Sequence, residues 1–125
     1  TLGSYLHSIF YIQEYIPKPE RDIRVIVIGN EPVAAMYRNA THWITNAARG
    51  SLCTPCPITA DIGNLAIATA QAVGGGAVAV DLMESDRGLL VTEVNATFEF
   101  KALTEATGID VAGQLVNYAL KVGSR

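Results

Sequence analysis

The chain is poor in the residue types that carry much of enzyme chemistry. Its 125 residues include two histidines, His7 and His42, and two cysteines, both in Cys53-Thr-Pro-Cys56. A single Cys-x-x-Cys pair is a weak signal for a four-ligand zinc site, so we expect two incidental thiols or a local disulfide. The sequence has no glycine-rich phosphate loop and no nucleophile elbow, and neither cysteine completes a catalytic dyad, which argues against covalent catalysis.

Charge and long apolar runs are also scarce. Charged residues make up 17% of the chain, hydrophobic residues make up 50%, and the formal net charge is −3. This composition predicts one globular unit over residues 1–125 and argues against general nucleic-acid binding. No stretch approaches about 18 uninterrupted apolar residues, and residues 1–7 contain neither a basic leader nor a run of signal-peptide length. We therefore expect no membrane partner and a cytoplasmic location.

The most informative feature that is present is a predicted hairpin. Residues 77–84 and 89–95 both have the composition of strands, and the residues between them favour a turn. If that turn centres on Arg87, Asp81 lies directly opposite Glu93. Opposed residues on antiparallel strands have Cβ atoms about 5 Å apart, so two carboxylates there repel each other unless a cation lies between them.

A third oxygen donor follows on the same strand. Asn95 lies two residues beyond Glu93, so its amide oxygen points to the same face. Asp81, Glu93 and Asn95 thus predict an oxygen-only Mg²⁺ site, with other positions left for water and phosphates. The alternative is a solvated hairpin whose acidic residues face water. The opposite face is predicted to be apolar through Val80, Leu82, Leu90 and Val94, interrupted only by Thr92.

Three further strands are predicted before this hairpin. A short turn at residues 29–32 makes the second and third of them antiparallel partners. Depending on the turn length, Arg24 faces Tyr37 or Arg38, which places at least one cationic side chain over the sheet. The predicted strands span residues 10–16, 22–28 and 33–38.

The rest of the chain is predicted to be a loop and three helices. Residues 39–58 form a long functional loop, and Thr59 or Asp61 caps a helix that ends at Val73. A short helix over residues 99–107 and a last helix over residues 110–122 follow. The predicted fold is α+β, with a mainly antiparallel sheet and helices packed on one face. The predicted buried positions are Ile62, Leu65, Ala66, Thr69, Ala72 and Val73 in the first helix, and Val111, Leu115, Val116, Ala119 and Val122 in the last.

Six short motifs occur in order between residues 13 and 95. They are Gln13-Glu14-Tyr15-Ile16-Pro17, Asp22-Ile-Arg24-Val25, Ala35-Met-Tyr-Arg38, Trp43-Ile-Thr-Asn46-Ala-Ala-Arg49-Gly50, Gly76-Ala-Val-Ala-Val-Asp81 and Glu93-Val-Asn95. Together they resemble the carboxy-terminal part of ATP-grasp ligases, in the group of the ribosomal-protein glutamate ligases and the carrier-protein ligases of lysine and arginine biosynthesis. The joint occurrence is far more specific than any single motif.

The resemblance implies ATP and Mg²⁺ as cofactors, with two ions and Mn²⁺ as an alternative. It implies that Gln13, Glu14, Tyr15 and Ile16 line the adenine site and that Asn46 also binds the nucleotide. It implies that Arg24, Arg38 and Arg49 are catalytic and contact phosphate or substrate carboxylates. It assigns the metal to Asp81, Glu93 and Asn95, in agreement with the hairpin argument.

The function implied by the resemblance is amide-bond formation through an acyl phosphate. The expected reaction joins α-aminoadipate or glutamate to the terminal glutamate of a small acidic amino-group carrier protein. The alternatives are a glutamate ligase acting on a ribosomal protein or peptide, and a non-catalytic metal-binding module. Because an amino-terminal domain and a lysine-bearing subdomain of the family fold are missing here, we expect this chain to be one piece of the ligase, inactive alone. The complete enzyme could form a homo-oligomer.

Overall fold

A five-stranded antiparallel sheet forms the centre of the protein. The computed structural model describes residues 9–40 and 52–124. Within those ranges the strands are β1 (Arg21–Ile28), β2 (Glu31–Asn39), β3 (Leu52–Pro55), β4 (Ala77–Ser85) and β5 (Gly88–Asn95). They lie in the order β3-β2-β1-β4-β5, and every neighbouring pair is antiparallel. The predicted antiparallel sheet is confirmed.

Three helices pack on this sheet, and their ends follow the sequence signals. They are α1 (Ala60–Ala72), α2 (Lys101–Thr107) and α3 (Val111–Gly123). The Thr59 hydroxyl accepts a hydrogen bond from the Ile62 amide at 3.3 Å, so Thr59 is the cap of α1. Asp110 caps α3 in the same way, and Gly108 ends α2 in the left-handed conformation. None of these helices has the length and apolar character that a membrane crossing requires.

The helices cover both faces of the sheet, which corrects the prediction of a single helical face. Side chains alternate along a strand, so the two sets of β1 residues enter different cores. Val25 and its neighbours at alternate positions pack with Ala66 of α1. Ile26 lies in the second core with Leu103 of α2 and Val111 of α3. The two layers of helices therefore leave β1 buried from both sides.

The predicted strand over residues 10–16 is wrong. Residues 9–19 have no regular secondary structure. Ile12 is 90% exposed and Tyr15 is 86% exposed, because no described strand pairs with this segment. Aromatic and β-branched composition favours a strand, but a strand also needs a hydrogen-bonding partner.

The predicted loop over residues 39–58 is only partly correct. β3 lies inside it and pairs with β2, with Tyr37 opposite Thr54. Residues 41–51 lie outside the described ranges. The edge strand is short, and its alternation was too brief to separate it from the turn formers around it.

The buried faces of α1 and α3 are narrower than predicted. In α1 the buried line follows every fourth residue, through Ile62, Ala66 and Ala70, while Val73 is 54% exposed. In α3, Val111 and Leu115 pack against the core as predicted. Tyr118 joins them in place of the expected Val116, Ala119 and Val122, of which the two valines are 57% and 43% exposed. A helix that packs on a sheet buries only the stripe of residues that faces the sheet.

Leu103 offers a test of the core beneath α2. Its side chain is 0% exposed, so Leu103→Ala leaves a cavity and should lower the free energy of unfolding by about 2–5 kcal/mol. Leu120 of α3 is 68% exposed, and Leu120→Ala should change it by no more than about 0.5 kcal/mol. Urea unfolding measures both variants. Equal effects would contradict the packing described for the second core.

Candidate functional site

Asp81 is a buried carboxylate on β4, between the core residues Val80 and Leu82. Asp81 is 3% exposed, and it is the only buried charged residue in the part of the chain that is described. The pairing of β1 with β4 places Arg24 directly opposite it. Arg24 donates two hydrogen bonds, from Nε to Asp81 Oδ1 at 2.8 Å and from Nη2 to Oδ2 at 2.9 Å. This bidentate geometry is the strongest form of the arginine–carboxylate interaction.

A second arginine reaches the same carboxylate. Arg38 on β2 donates two hydrogen bonds to Asp22 at 2.8 and 2.7 Å. Its Nη2 also lies 3.1 Å from Asp81 Oδ2. Asp22, Arg24, Arg38 and Asp81 thus form one connected set, hereafter the arginine–aspartate network. Two guanidinium groups and two carboxylates give it no net charge.

Burial strengthens the interactions within the network. The side chains of Arg24 and Arg38 are 15% and 25% exposed. Burial disfavours the charged form of Arg38, but hydrogen bonding to Asp22 and the charges of Asp81 and Asp22 outweigh it and raise the pKa of Arg38. The Arg38 guanidinium therefore stays charged.

The partner predicted for Arg24 on β2 was wrong. Arg24 lies opposite Met36, and Arg38 lies opposite Asp22. The turn between the strands has two residues, with Gly29 at a φ of 64°, and the pairing then shifts between Ile26 and Val27. This shift moves the register, which the sequence could not place. Arg24 and Arg38 nevertheless share one face of the sheet, as the sequence allowed.

The pairing of Asp81 with Glu93 is confirmed, although the turn differs from the prediction. Ser85 pairs with Gly88, so the turn is tighter than one centred on Arg87. A bulge in β5 then restores the predicted pairing, because the register shifts between Asp81 and Leu82. The extra residue is Thr92, whose hydroxyl donates to the Asp81 carbonyl oxygen at 3.1 Å.

The tighter turn also changes which hairpin residues share a face. Leu90 pairs with Met83, so it lies on the face of Asp81 rather than on the opposite face as predicted. Val80, Leu82 and Val94 do lie on the opposite face, in the core under α1, as predicted.

Asn95 lies on the same face as Asp81 and Glu93. It pairs with Ala79, two residues from Asp81 along β4. Its Oδ1 accepts a hydrogen bond from the Thr97 amide at 2.9 Å and keeps a second lone pair. The Glu93 side chain is exposed and makes no hydrogen bond or ion pair with the residues of the described ranges.

These donors fit a hard divalent cation. All three candidates offer oxygen, as Mg²⁺ prefers. Asp81 already contacts two positive groups, Arg24 and Arg38. No group of three or more His, Cys, Asp and Glu residues is found in the described ranges, but the predicted set contains only two carboxylates and an amide. The three-residue metal site stays a prediction.

The predicted nucleotide-binding residues are not brought to the network. The Gln13 amide donates to the Tyr11 hydroxyl at 3.1 Å. Glu14 lies 3.4 Å from Arg87 at the tip of the β4–β5 hairpin. Tyr15 and Ile16 belong to the same irregular segment. Asn46 and Arg49 lie outside the described residues.

A basic cleft of about 350 Å³ adjoins the network. It is lined by Lys18, Arg21, Asp22, Arg38 and Ala40. Sequence reasoning missed Arg21, and it noted Asp22 only as a neighbour of Arg24. Charged residues at alternate positions of an otherwise apolar strand were the available signal.

Arg21 is held from two sides. It donates two hydrogen bonds to Glu84 at 2.8 and 2.9 Å, and its guanidinium carbon lies 3.9 Å from the centre of the Tyr37 ring. The hydrogen bond from Arg21 lowers the pKa of Glu84 below its ordinary value. Neither Arg21 nor Glu84 was among the predicted site residues.

Both cysteines are thiols, so the local disulfide is not formed in the structure. Cys56 packs in the core under α1, and Cys53 packs against the core on the other face. Burial raises the pKa of the Cys56 thiol. Hydrogen bonding with that thiol raises the pKa of Tyr37. A buried thiol of raised pKa is a poor nucleophile.

The fold is that of the ATP-grasp ligases. The solved structure of the ATP-grasp ligase PsnB complexed with precursor peptide PsnA2 and AMPPNP matches 87% of this chain and 34% of that one, with a TM-score of 0.70 and 20% identity. The chain belongs to the RimK-like ATP-grasp domain family, whose model matches residues 2–119. The predicted family is confirmed.

Curated relatives include ligases with several substrates. The tetrahydromethanopterin:alpha-L-glutamate ligase of Methanococcus maripaludis is 37% identical, over 91% of this chain and 40% of its own length. The alpha-aminoadipate–LysW ligase LysX of Saccharolobus solfataricus is 39% identical over 90% and 42%. The ribosomal protein bS6–L-glutamate ligase of Salmonella paratyphi B is 36% identical over 90% and 39%. The chain thus spans about two fifths of the length of these relatives.

The Arg21–Glu84 pair predicts a pH-dependent contribution to stability. Because the pKa of Glu84 is lowered from its ordinary value of 4.5, the contribution is present above that pH and is lost as the pH falls through the lowered pKa. Glu84→Gln should therefore lower the free energy of unfolding at pH 7 by no more than about 1 kcal/mol, since the pair is partly exposed. The difference from the wild type should vanish in acid.

Urea unfolding between pH 7 and pH 3 measures this difference. Glu105→Gln is the matched control, because its contact with Lys101 is 4.0 Å long and both side chains are well exposed. A Glu84→Gln effect that grows on acidification would contradict the assigned pair.

Proposed function

We propose that this chain supplies the phosphate-facing half of the catalytic centre of an ATP- and Mg²⁺-dependent carboxylate–amine ligase. The observation that carries the proposal is the buried Asp81, aligned with Glu93 and held between Arg24 and Arg38. A buried carboxylate among paired arginines contributes little to stability, so a functional role explains its position better. Membership of the ATP-grasp family supports this role.

In the proposed site, Asp81, Glu93 and Asn95 hold the magnesium, and Arg24 and Arg38 bind phosphoryl oxygens or a substrate carboxylate. Arg49 is proposed to join them, and residues 13–16 with Asn46 are proposed to bind the nucleotide. The bound metal would neutralise charge on the nucleotide phosphates. The guanidinium groups would stabilise the charge that develops as a phosphoryl group is transferred.

The proposed reaction has two steps. A substrate carboxylate attacks the γ-phosphoryl group of ATP and releases ADP, which gives an acyl phosphate. An amine then attacks the acyl carbon and releases inorganic phosphate, which gives an amide. Neither step needs a covalent protein nucleophile, in keeping with the buried Cys56. The role of the chain is therefore positioning and electrostatic stabilisation.

The proposed substrates are an amino acid, α-aminoadipate or glutamate, and the terminal glutamate of a small acidic carrier protein. The similarity to LysX supports this choice. The basic cleft beside the network suits an acidic partner. The second candidate is a glutamate ligase acting on a ribosomal protein or peptide, which the similarity to the Salmonella enzyme supports. The second metal ion, a homo-oligomer and the cytoplasmic location stay predictions.

Paramagnetic Mn²⁺ tests the proposed metal and nucleotide site in the chain itself. On titration with Mn²⁺ and ATP together, the amide NMR signals of residues 79–82 and 92–95 should broaden before the others, because they surround the proposed ligands. Asp81→Asn should raise the Mn²⁺ and ATP concentration needed for this broadening at least about tenfold, the scale found when even an outer partner of a metal ligand is lost.

Asp86→Asn is the matched control, since it makes the same chemical change in the exposed hairpin turn. It should leave the titration unchanged. Broadening that starts elsewhere, or that persists unaltered in Asp81→Asn, would refute the proposed site.

A further inference from the structure

The arginine–aspartate network is complete without any ligand. Both oxygens of Asp81 accept hydrogen bonds from Arg24, and Oδ2 also contacts Arg38. No buried side-chain oxygen or nitrogen lacks a partner in the described ranges. A residue proposed to bind metal is therefore already occupied by two cationic side chains.

We propose that Arg24 and Arg38 hold the metal-binding position on Asp81 until a nucleotide arrives, so that divalent metal and ATP bind together and neither binds well alone. This inference rests on the proposed function and adds a coupling device to it. Arg24 and Arg38 are positioning residues in this role, since they act through Asp81.

Binding of the metal without nucleotide is unfavourable. The network itself has no net charge, so Glu93 is the only proposed ligand that offers a divalent cation an uncompensated negative charge, while the two guanidinium groups repel that cation. Both oxygens of Asp81 already accept hydrogen bonds, so a metal bound there displaces the Arg24 guanidinium or lies directly beside it. Arg24 has Asp81 as its only ion-pair partner within the described residues, and its side chain is 15% exposed. A mostly buried guanidinium without a partner is costly.

Binding of the nucleotide without metal is also unfavourable. Each guanidinium group binds a carboxylate through its Nε and Nη2 donors, and its charge is compensated within the network. A polyanionic triphosphate placed beside Asp81 is repelled by that carboxylate unless the metal shields it. Arginines whose charge is already compensated attract phosphate weakly, and their Nε–Nη2 edge is not open to a bidentate contact with it.

When the metal and the nucleotide bind together, each relieves the free-energy cost of binding the other. Asp81 exchanges guanidinium for metal, and the released Arg24 gains phosphate oxygens as its new partner. Arg38 needs to move less, because its two hydrogen bonds to Asp22 persist when its 3.1 Å contact with Asp81 is lost. The network therefore couples the two ligands through one carboxylate, and the coupling is reciprocal.

The direction in which one variant changes the Mn²⁺ affinity distinguishes this coupling from a purely structural role. Arg24→Met frees Asp81 while keeping an apolar stem of similar length. It should raise the affinity for Mn²⁺ in the absence of nucleotide by about tenfold or more, within the usual range of coupling between sites. A structural role would predict unchanged or weaker binding. Electron paramagnetic resonance of free Mn²⁺ measures this affinity directly.

Two further variants define where the gain arises. Arg24→Met/Asp81→Asn should lose the gain, because the freed carboxylate is gone. Arg87→Met removes one positive charge at the hairpin tip, outside the network, and should not show it. An Arg24→Met chain that is folded by circular dichroism but binds Mn²⁺ no better than the wild type would overturn the proposal, as would an equal gain in Arg87→Met.

A measurement on the wild-type chain does not depend on the fold of any variant. The side-chain Nε–H NMR signal of Arg24 should shift when Mg²⁺ and ATP are added together and should stay in place with either alone. If Mg²⁺ and ATP bind near Asp81 while this signal does not move, the exchange is wrong and the proposed function stands. If they do not bind near Asp81 at all, the proposed function fails as well.

Discussion

The candidate site depends on one buried carboxylate, Asp81, and on the two arginines that neutralise it. Desolvation of a charge is expensive, and a partner that repays this cost seldom adds net stability. Three neighbouring strands nevertheless bring charged side chains to this point on one face of the sheet: Asp22 and Arg24 from β1, Arg38 from β2 and Asp81 from β4. An apolar core on each face of the sheet surrounds these groups and fixes them in place. Such an arrangement adds little to the stability of the fold, but it provides a preorganised ionic site.

The hairpin shows how a correct contact can arise from an incorrect local geometry. Symmetry about Arg87 predicts that Asp81 opposes Glu93, and the structure confirms the pair. The turn is one residue tighter than this symmetry requires, and Thr92 restores the pairing as a bulge. The alternation of side chains along a strand can be read from the sequence. The position of a bulge depends on how that strand pairs with its neighbour. Leu90 was assigned to the wrong face for this reason.

The parts of the fold that the sequence predicts well are those with strong local signals. Thr59 and Asp110 cap their helices by side-chain hydrogen bonds, and these helix starts were predicted. The strand predicted at residues 10–16 failed because its propensity is local while its partner would have to come from elsewhere. The cation facing Asp81 was predicted as a metal, and the structure places Arg24 and Arg38 there. Charge compensation is predictable from spacing, but which cation supplies it depends on the register of β1 against β4.

A crystal structure of the chain with Mg²⁺ and a non-hydrolysable ATP analogue tests the central claim most directly. The account predicts a metal about 2.0–2.1 Å from oxygens of Asp81 and Glu93, with the Arg24 guanidinium turned from Asp81 to the phosphates. An intact Arg24–Asp81 pair, with the metal and nucleotide bound elsewhere, would contradict it.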